Sequence, residues 1–197
     1  MKEKIQQLES EIRELYLNPK EDVDLLIYGK SKDLLRAFWF IHLETVIALA
    51  RKMARKYKAN EEIIWLSAIL HDIGQFHTLD SHEVVGSEKA YEILIKKDFE
   101  EKIAQEVKAI ILTHRCNEYF PQTLEQKILA TADATSHFVS PHYFWLGRVD
   151  KRATKELMEK ISKKIEKDYE TKIFFEDEKE MVKKEYEVLK KWFNYKI

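Results

Sequence analysis

Apolar residues recur along most of this chain at three- and four-residue intervals, the period of an amphipathic helix. Ile5, Leu8, Ile12 and Leu15 predict a first helix over residues 2 to 16, ended by Pro19 and the acidic run after it. His42, Thr45, Val46, Leu49, Ala50 and Met53 share one face of a longer helix, Leu34 to Tyr57. Asn60 is placed to cap the next helix, which turns Ile63, Ile64, Leu66, Ile69 and Leu70 inward and stops at Gly74. Ser81 is the expected cap of a helix from His82 to about Lys97. Residues 99 to 114 form another, with Val107, Ile110, Ile111 and His114 on one side. Pro121 opens a helix from about Thr123 to His137, in which Leu129, Asp133 and His137 align at four-residue steps. Pro141 and Gly147 mark a loop, and two charged helices, about 150 to 169 and 176 to 195, follow. Only "KIFFE", 172 to 176, resembles a strand, and it is short. The pattern predicts an all-α fold, a multi-helix bundle of irregular topology.

Three parts are expected: an N-terminal helix and connecting loop (1–33), a helical core (34–140), and an aromatic loop with C-terminal helices packed on that core (141–197). The net charge of -1 gives no general attraction to nucleic acid or to an anionic membrane. One cysteine, Cys116, excludes an intrachain disulfide and points to a reducing compartment. The N-terminal stretch is too charged for a signal peptide, and no run of ~20 apolar residues is present. A cytoplasmic protein is the expectation.

Against this background, several metal-type residues fall on core-facing helix positions: His42, the doublet His71-Asp72, His114 and Asp133, with His82 just after the doublet. Each alone has an ordinary structural explanation, because a single histidine on an apolar face is more often a hydrogen-bonded core residue than a ligand. Together they are harder to dismiss, since a buried carboxylate is costly unless paired, hydrogen-bonded or bound to a metal. Imidazole and carboxylate together suit a divalent transition metal (Mn, Fe, Co, Ni or Zn) better than Mg. His77 and His142 read as loop residues; His137 is either a partner that orients Asp133 or a packing residue.

The arrangement resembles the HD-domain superfamily of metal-dependent phosphohydrolases. The resemblance rests on His42 in "FIHLETVIALA", on "AILHDIG" around His71 and Asp72, and on Asp133 in "KILATADATSH". It covers about residues 34 to 140. It implies that His42, His71, Asp72 and Asp133 hold one ion. His82 in "HEVVGSEKA" and His114 in "AIILTHR" match the branch with extra histidines, which implies a second ion completed by them and bridged by Asp72. Two departures stand out. Gln75 replaces the lysine that many relatives carry after "HDIG", and Arg115 stands where several two-metal branches carry another histidine.

The implied activity is hydrolysis of a small phosphate ester, a nucleotide foremost, by metal-activated water, with one or two ions. Asp72 would serve as bridge and electrostatic partner. The substrate's remaining charge needs a cation; Arg115 is the first candidate and Arg36 the second, with Lys30 and Lys32 behind them. Glu83 is either a proton carrier or a plain helix N-terminal acid, the latter favoured. The cluster "SPHYFWLG" would roof the pocket or pack a loop, and the terminal helices would be scaffold and a homodimer element. Two other readings share the ligand set: a di-iron oxygenase, and a nucleotide-binding module without turnover.

Overall fold

The computed structural model describes residues 1–19, 32–78, 80–150 and 152–194. The expected acidic run and connecting loop before residue 32, with Lys30, lie outside the described residues.

Ten α-helices follow in order among the described residues: α1 (Lys2–Leu17), α2 (Lys32–Phe38), α3 (Glu44–Tyr57), α4 (Glu61–Leu70), α5 (His82–Lys96), α6 (Glu101–Thr113), α7 (Leu124–Val139), α8 (His142–Val149), α9 (Thr154–Lys167) and α10 (Glu176–Phe193). None of them is long and apolar enough to cross a membrane. No strand occurs among the described residues. The "KIFFE" stretch instead leaves a helical turn at Lys172 and runs irregularly into α10, its Ile173 buried against the C-terminal helices.

α7 is the axis of the fold. Ile128 to Phe138 are buried on every side, polar residues included, as a helix enclosed by neighbours requires. α3, α4, α6 and α10 surround it. Small residues, Ala130, Ala132 and Ala134, let these neighbours approach closely. Its start is fixed by a capping box: the Gln126 amide donates to the Thr123 hydroxyl at 3.3 Å, and the Thr123 amide to the Gln126 side chain at 3.1 Å. Asn60 caps α4 as expected, accepting from the amides of Glu62 and Ile63 at 3.2 and 3.3 Å. Ser81 holds the cap position of α5 without a side-chain cap bond, and its φ of 55° lies in the left-handed region.

Two further features depart from the periodicity. The single helix expected over 34 to 57 contains a π turn, Trp39–Leu43, and a second π turn, Asp168–Lys172, extends α9. Each inserts a residue's worth of rotation into the helix face. The first carries His42; the second carries Asp168 and Lys172. The region expected as a loop after Pro141 is the helix α8, with Pro141 at its cap. Proline lacks an amide proton and is tolerated there, so it starts this helix instead of interrupting one. Gly147 lies inside α8 with open space around it.

Candidate metal centre

α4 is buried from Ile63 to Leu70 and delivers His71 and Asp72 at its buried end. The π turn before α3 supplies His42, α5 begins with His82, His114 follows the last residue of α6, and α7 contributes Asp133. All six converge. One Asp72 oxygen lies 3.1 Å from His42 Nε2 and 3.3 Å from His71 Nε2. Its other oxygen lies 3.1 Å from His82 Nε2 and 3.8 Å from His114 Nε2. Asp133 Oδ1 faces the first pair at 3.4 and 3.9 Å. The carboxylate of Asp72 thus stands between two ligand groups, His42-His71-Asp133 on one side and His82-His114 on the other.

The far edges of the rings decide what these nitrogens present. His71 Nδ1 donates to the Ala68 carbonyl at 2.9 Å, and His114 Nδ1 to the Ile111 carbonyl at 2.6 Å. A carbonyl only accepts, so both Nδ1 atoms carry the proton. The Ser136 hydroxyl donates to the Asp133 carbonyl at 2.7 Å, so it must accept from His42 Nδ1 at 3.0 Å. With Nδ1 so engaged, His42, His71 and His114 all turn Nε2 toward carboxylate oxygens, in the neutral ring as a lone pair, and His42 and His71 Nε2 face each other at 3.2 Å. Lone pairs so arranged repel unless a cation lies among them. Backbone-anchored histidines with converging Nε2 atoms and two carboxylates fit a divalent transition metal.

A proton takes that role when metal is lacking. Burial by itself would lower His71, but the charges of Asp72 and Asp133 outweigh it and raise its pKa to about 9. Burial, with the charge of His71, lowers His114 to about 3, and burial with the Lys164 ammonium lowers His137 to about 4. The ordinary value is 6.5. The stabilisation from protonated His71 is complete below 6.5 and lost as pH rises through about 9. That from neutral His114 and His137 is present above 6.5 and lost as pH falls toward 4 and 3. Metal-free protein should therefore melt highest near pH 6.5 and lower on either side. Metal loading should abolish the alkaline decline and steepen the acid one. Melting curves with and without chelator check this; a flat metal-free profile from pH 4 to 9 would contradict it.

Beyond the six residues lies a network of which the periodicity revealed only His137. The other Asp133 oxygen is held by the Lys172 ammonium, itself buried and 3.7 Å from Asp168. Burial would lower Lys172, but Asp133 and Asp168 more than compensate and raise its pKa above the usual lysine range. Asp168 also accepts from His137 Nδ1 at 2.9 Å and from the Tyr143 hydroxyl at 3.0 Å. His137 Nε2 then faces Asp133 Oδ1 at 3.4 Å. His142 is not a loop residue: α8 buries it on His137, ring centroids 3.8 Å apart, with Nδ1 unpaired. His42, His137 and His142 form a third group of metal-compatible spacing, but His42 belongs to the first group as well and its Nδ1 is taken by Ser136. An i, i+4 Asp-Lys pair in a charged helix carries no signal that separates it from a surface ion pair.

The candidate cations divide. Arg115 lines the cavity beside the six residues, its guanidinium 2.7 Å from buried Glu83, which also accepts from Asn117 at 3.3 Å. Glu83 is thus an anchor for Arg115 more than a helix-end acid, its carboxyl held low by Arg115 against the effect of burial. Arg36 is not brought to the site. It donates to the Leu17 carbonyl at 2.6 Å and pairs with Asp33 at 3.5 Å. Lys32 starts α2 and does not line the cavity, and His77 is exposed. The aromatic stretch contributes Trp145 and Leu146 to the cavity wall, and Tyr143 to the core.

Known proteins resemble this chain over the same region. The family model described as HD domain matches residues 39–137. A Picrophilus torridus tRNA (cytidine(56)-2'-O)-methyltransferase is 33% identical over 129 residues, which span 58% of this chain and 36% of that enzyme. The shared stretch is thus about a third of the methyltransferase's length. A Bacillus subtilis protein, YueE, whose name provisionally calls it a phosphohydrolase, is 26% identical over 136 residues, 59% of this chain and 76% of its own. Among solved structures, that of a predicted HD superfamily hydrolase from an uncultured Thermotogales bacterium superposes with a TM-score of 0.54 at 22% identity. It covers 95% of this chain and 87% of that one, and has the same fold. The matched segment begins in the π turn that presents His42 and ends just after Asp133 at His137, so the stretch that builds the centre and the stretch that matches coincide. On that basis the chain belongs to the HD-domain superfamily.

Proposed function

We propose that the chain is a metal-dependent phosphohydrolase acting on a small phosphate ester, with a nucleotide as the leading class. The observation that carries this reading is the position of Asp72, whose two oxygens each face a separate histidine pair. A carboxylate so placed would serve two ions, with His42, His71 and Asp133 holding one beside it and His82 and His114 the other. Ions there would polarise a phosphoryl group and make water a nucleophile near neutral pH.

The chain's own residues do the remainder. Lys172 and Asp168 fix Asp133 from behind, so that one of its oxygens stays directed at the histidines. Arg115, held by Glu83, offers a positive charge to the phosphoryl oxygens from the cavity wall. Phe38, Trp145, Leu146 and Val149 line an apolar part of the same cavity, suited to a nucleoside. A cavity of about 790 Å³ with charged and apolar parts is in the range of small-molecule sites. Its lysine-rich side favours an anionic ligand, as a phosphate ester is.

Metal analysis by mass spectrometry, on protein purified without chelator, tests the proposal. Wild type should hold about two ions per chain and a His82→Ala/His114→Ala variant about one. A screen of phosphate esters with Mn, Co and Fe should then find release of phosphate. A chain that holds no metal and cannot be loaded would refute the reading.

A further inference from the structure

The motif region is poor in cations, with uncharged Gln75 in the turn after the doublet. The cavity is not. α9, which reads from sequence as a charged outer scaffold, turns Lys160, Lys163, Lys164 and Lys167 into it. They follow the i, i+3, i+4, i+7 spacing of one helix face. Ile161 and Ile165, on the other side of α9, dock the helix against the C-terminal core and fix that orientation. The lysine face thus lies across the same cavity as Asp72, His82 and Asp133.

Part of this charge is balanced within the protein. Lys160 lies 2.6 Å from Asp150, and Lys164 lies 2.9 Å from Asp168. Lys167 instead reaches the neutral side-chain oxygen of Asn117, and Lys163 is exposed at the cavity mouth. Burial, then the charges of Lys172 and Arg115, hold the Lys167 ammonium below its ordinary pKa. Like charges gathered in a concave, partly desolvated site raise each other's energy and are relieved by an anion. Lys160 to Lys167 also rises about 10 Å along the helix, more than one phosphate needs.

We propose that the lysine face of α9 binds the outer phosphates of an oligophosphate chain, a ligand carrying two or more linked phosphoryl groups, while the His/Asp cluster receives the phosphoryl group nearest it. The inference rests on the hydrolytic reading for the role of the cluster, but the lysine face can be tested by itself. Its chemistry would accept a nucleoside oligophosphate or an inorganic one.

Calorimetric titration of the metal-free full chain with orthophosphate, tripolyphosphate and adenosine triphosphate is the test. Tripolyphosphate should bind at least tenfold more tightly than orthophosphate. A Lys163→Gln/Lys167→Gln variant should lose that preference, while Lys52→Gln/Lys102→Gln, which removes two exposed lysines outside the cavity, should keep it. Adenosine triphosphate binding more tightly than tripolyphosphate supports a nucleotide source; equal binding supports the inorganic chain. Equal affinity for orthophosphate and tripolyphosphate would overturn the proposal. So would a preference that survives Lys163→Gln/Lys167→Gln, or one that falls equally in the control. Melting temperatures of both variants verify that they fold. Metal content, measured separately, judges the hydrolytic reading: two ions per chain with no preference for tripolyphosphate removes this proposal alone.

Discussion

Asp72→Asn is expected to cut phosphate release by about a thousandfold or more, because metal-ion stabilisation of the transition state amounts to several kcal/mol. The substitution keeps shape and removes charge. An amide offers one acceptor oxygen where the carboxylate offers two, and its NH2 group donates toward a histidine pair. The two histidine pairs at 3.1 to 3.8 Å from the two Asp72 oxygens would then lose their common partner. Metal content should fall from about two ions to one or fewer. The variant should remain folded, because the buried side chain keeps its volume. In chelator, its alkaline decline in melting temperature should shrink, since Asp72 is the main charge that raises His71. A variant that retains both ions and full turnover would sink the bridging assignment. Loss of turnover with both ions retained would assign Asp72 a charge role without a bridging one.

The second large effect falls on a residue without chemistry of its own. A Cβ added to Gly74 would lie 2.1 Å from the His82 carbonyl oxygen, 2.6 Å from the Gly86 nitrogen and 2.9 Å from the Gly86 Cα. These are backbone atoms, which cannot rotate away. The turn after the His71-Asp72 doublet and the first turns of α5 meet there with no room for a side chain. Gly74→Ala should therefore cost about 3 kcal/mol or more, at the upper end of overpacking effects. In a chain of this size that is a fall in melting temperature of roughly 6–12 °C. The atom displaced is the carbonyl of His82, so His82 should move away from Asp72 and one ion per chain should be lost. Gly86→Ala, whose nearest contact would be 3.1 Å, should be milder. Gly147→Ala meets nothing within 4 Å and replaces a helical glycine, so it should stabilise by up to about 1 kcal/mol. A Gly74→Ala protein that melts within about 2 °C of wild type with its metal intact would show that this contact can relax.

The glycine also shows how local and tertiary information differ. Read along the chain, Gly74 stops a helix; in space, it lets two backbone segments touch beside the candidate metal centre.

What the sequence determined by itself is the set of short-range decisions. The helical period of α1, α4, α6 and α7 and the cap at Asn60 depend on residues within a few positions of one another. The doublet at the end of an apolar helix was legible for the same reason, because burying His71 and Asp72 together is unusual enough to imply a partner. The six converging residues could be named, since each lay on a predicted core-facing position or beside the doublet.

Tertiary structure decided the rest. The π turns at 39–43 and 168–172 rotate helix faces by an amount that periodicity does not encode; the first carries His42 and the second carries Lys172, which reaches Asp133. α8 forms where Pro141 and Gly147 suggested a loop, because burial of His142 and Tyr143 outweighs the weak propensity of a short segment. The lysines of α9 resemble any solvated helix face until Ile161 and Ile165 dock the helix and turn them toward the cavity. A residue's place on its own helix follows from local spacing, but what that face meets is set by packing between helices distant in sequence.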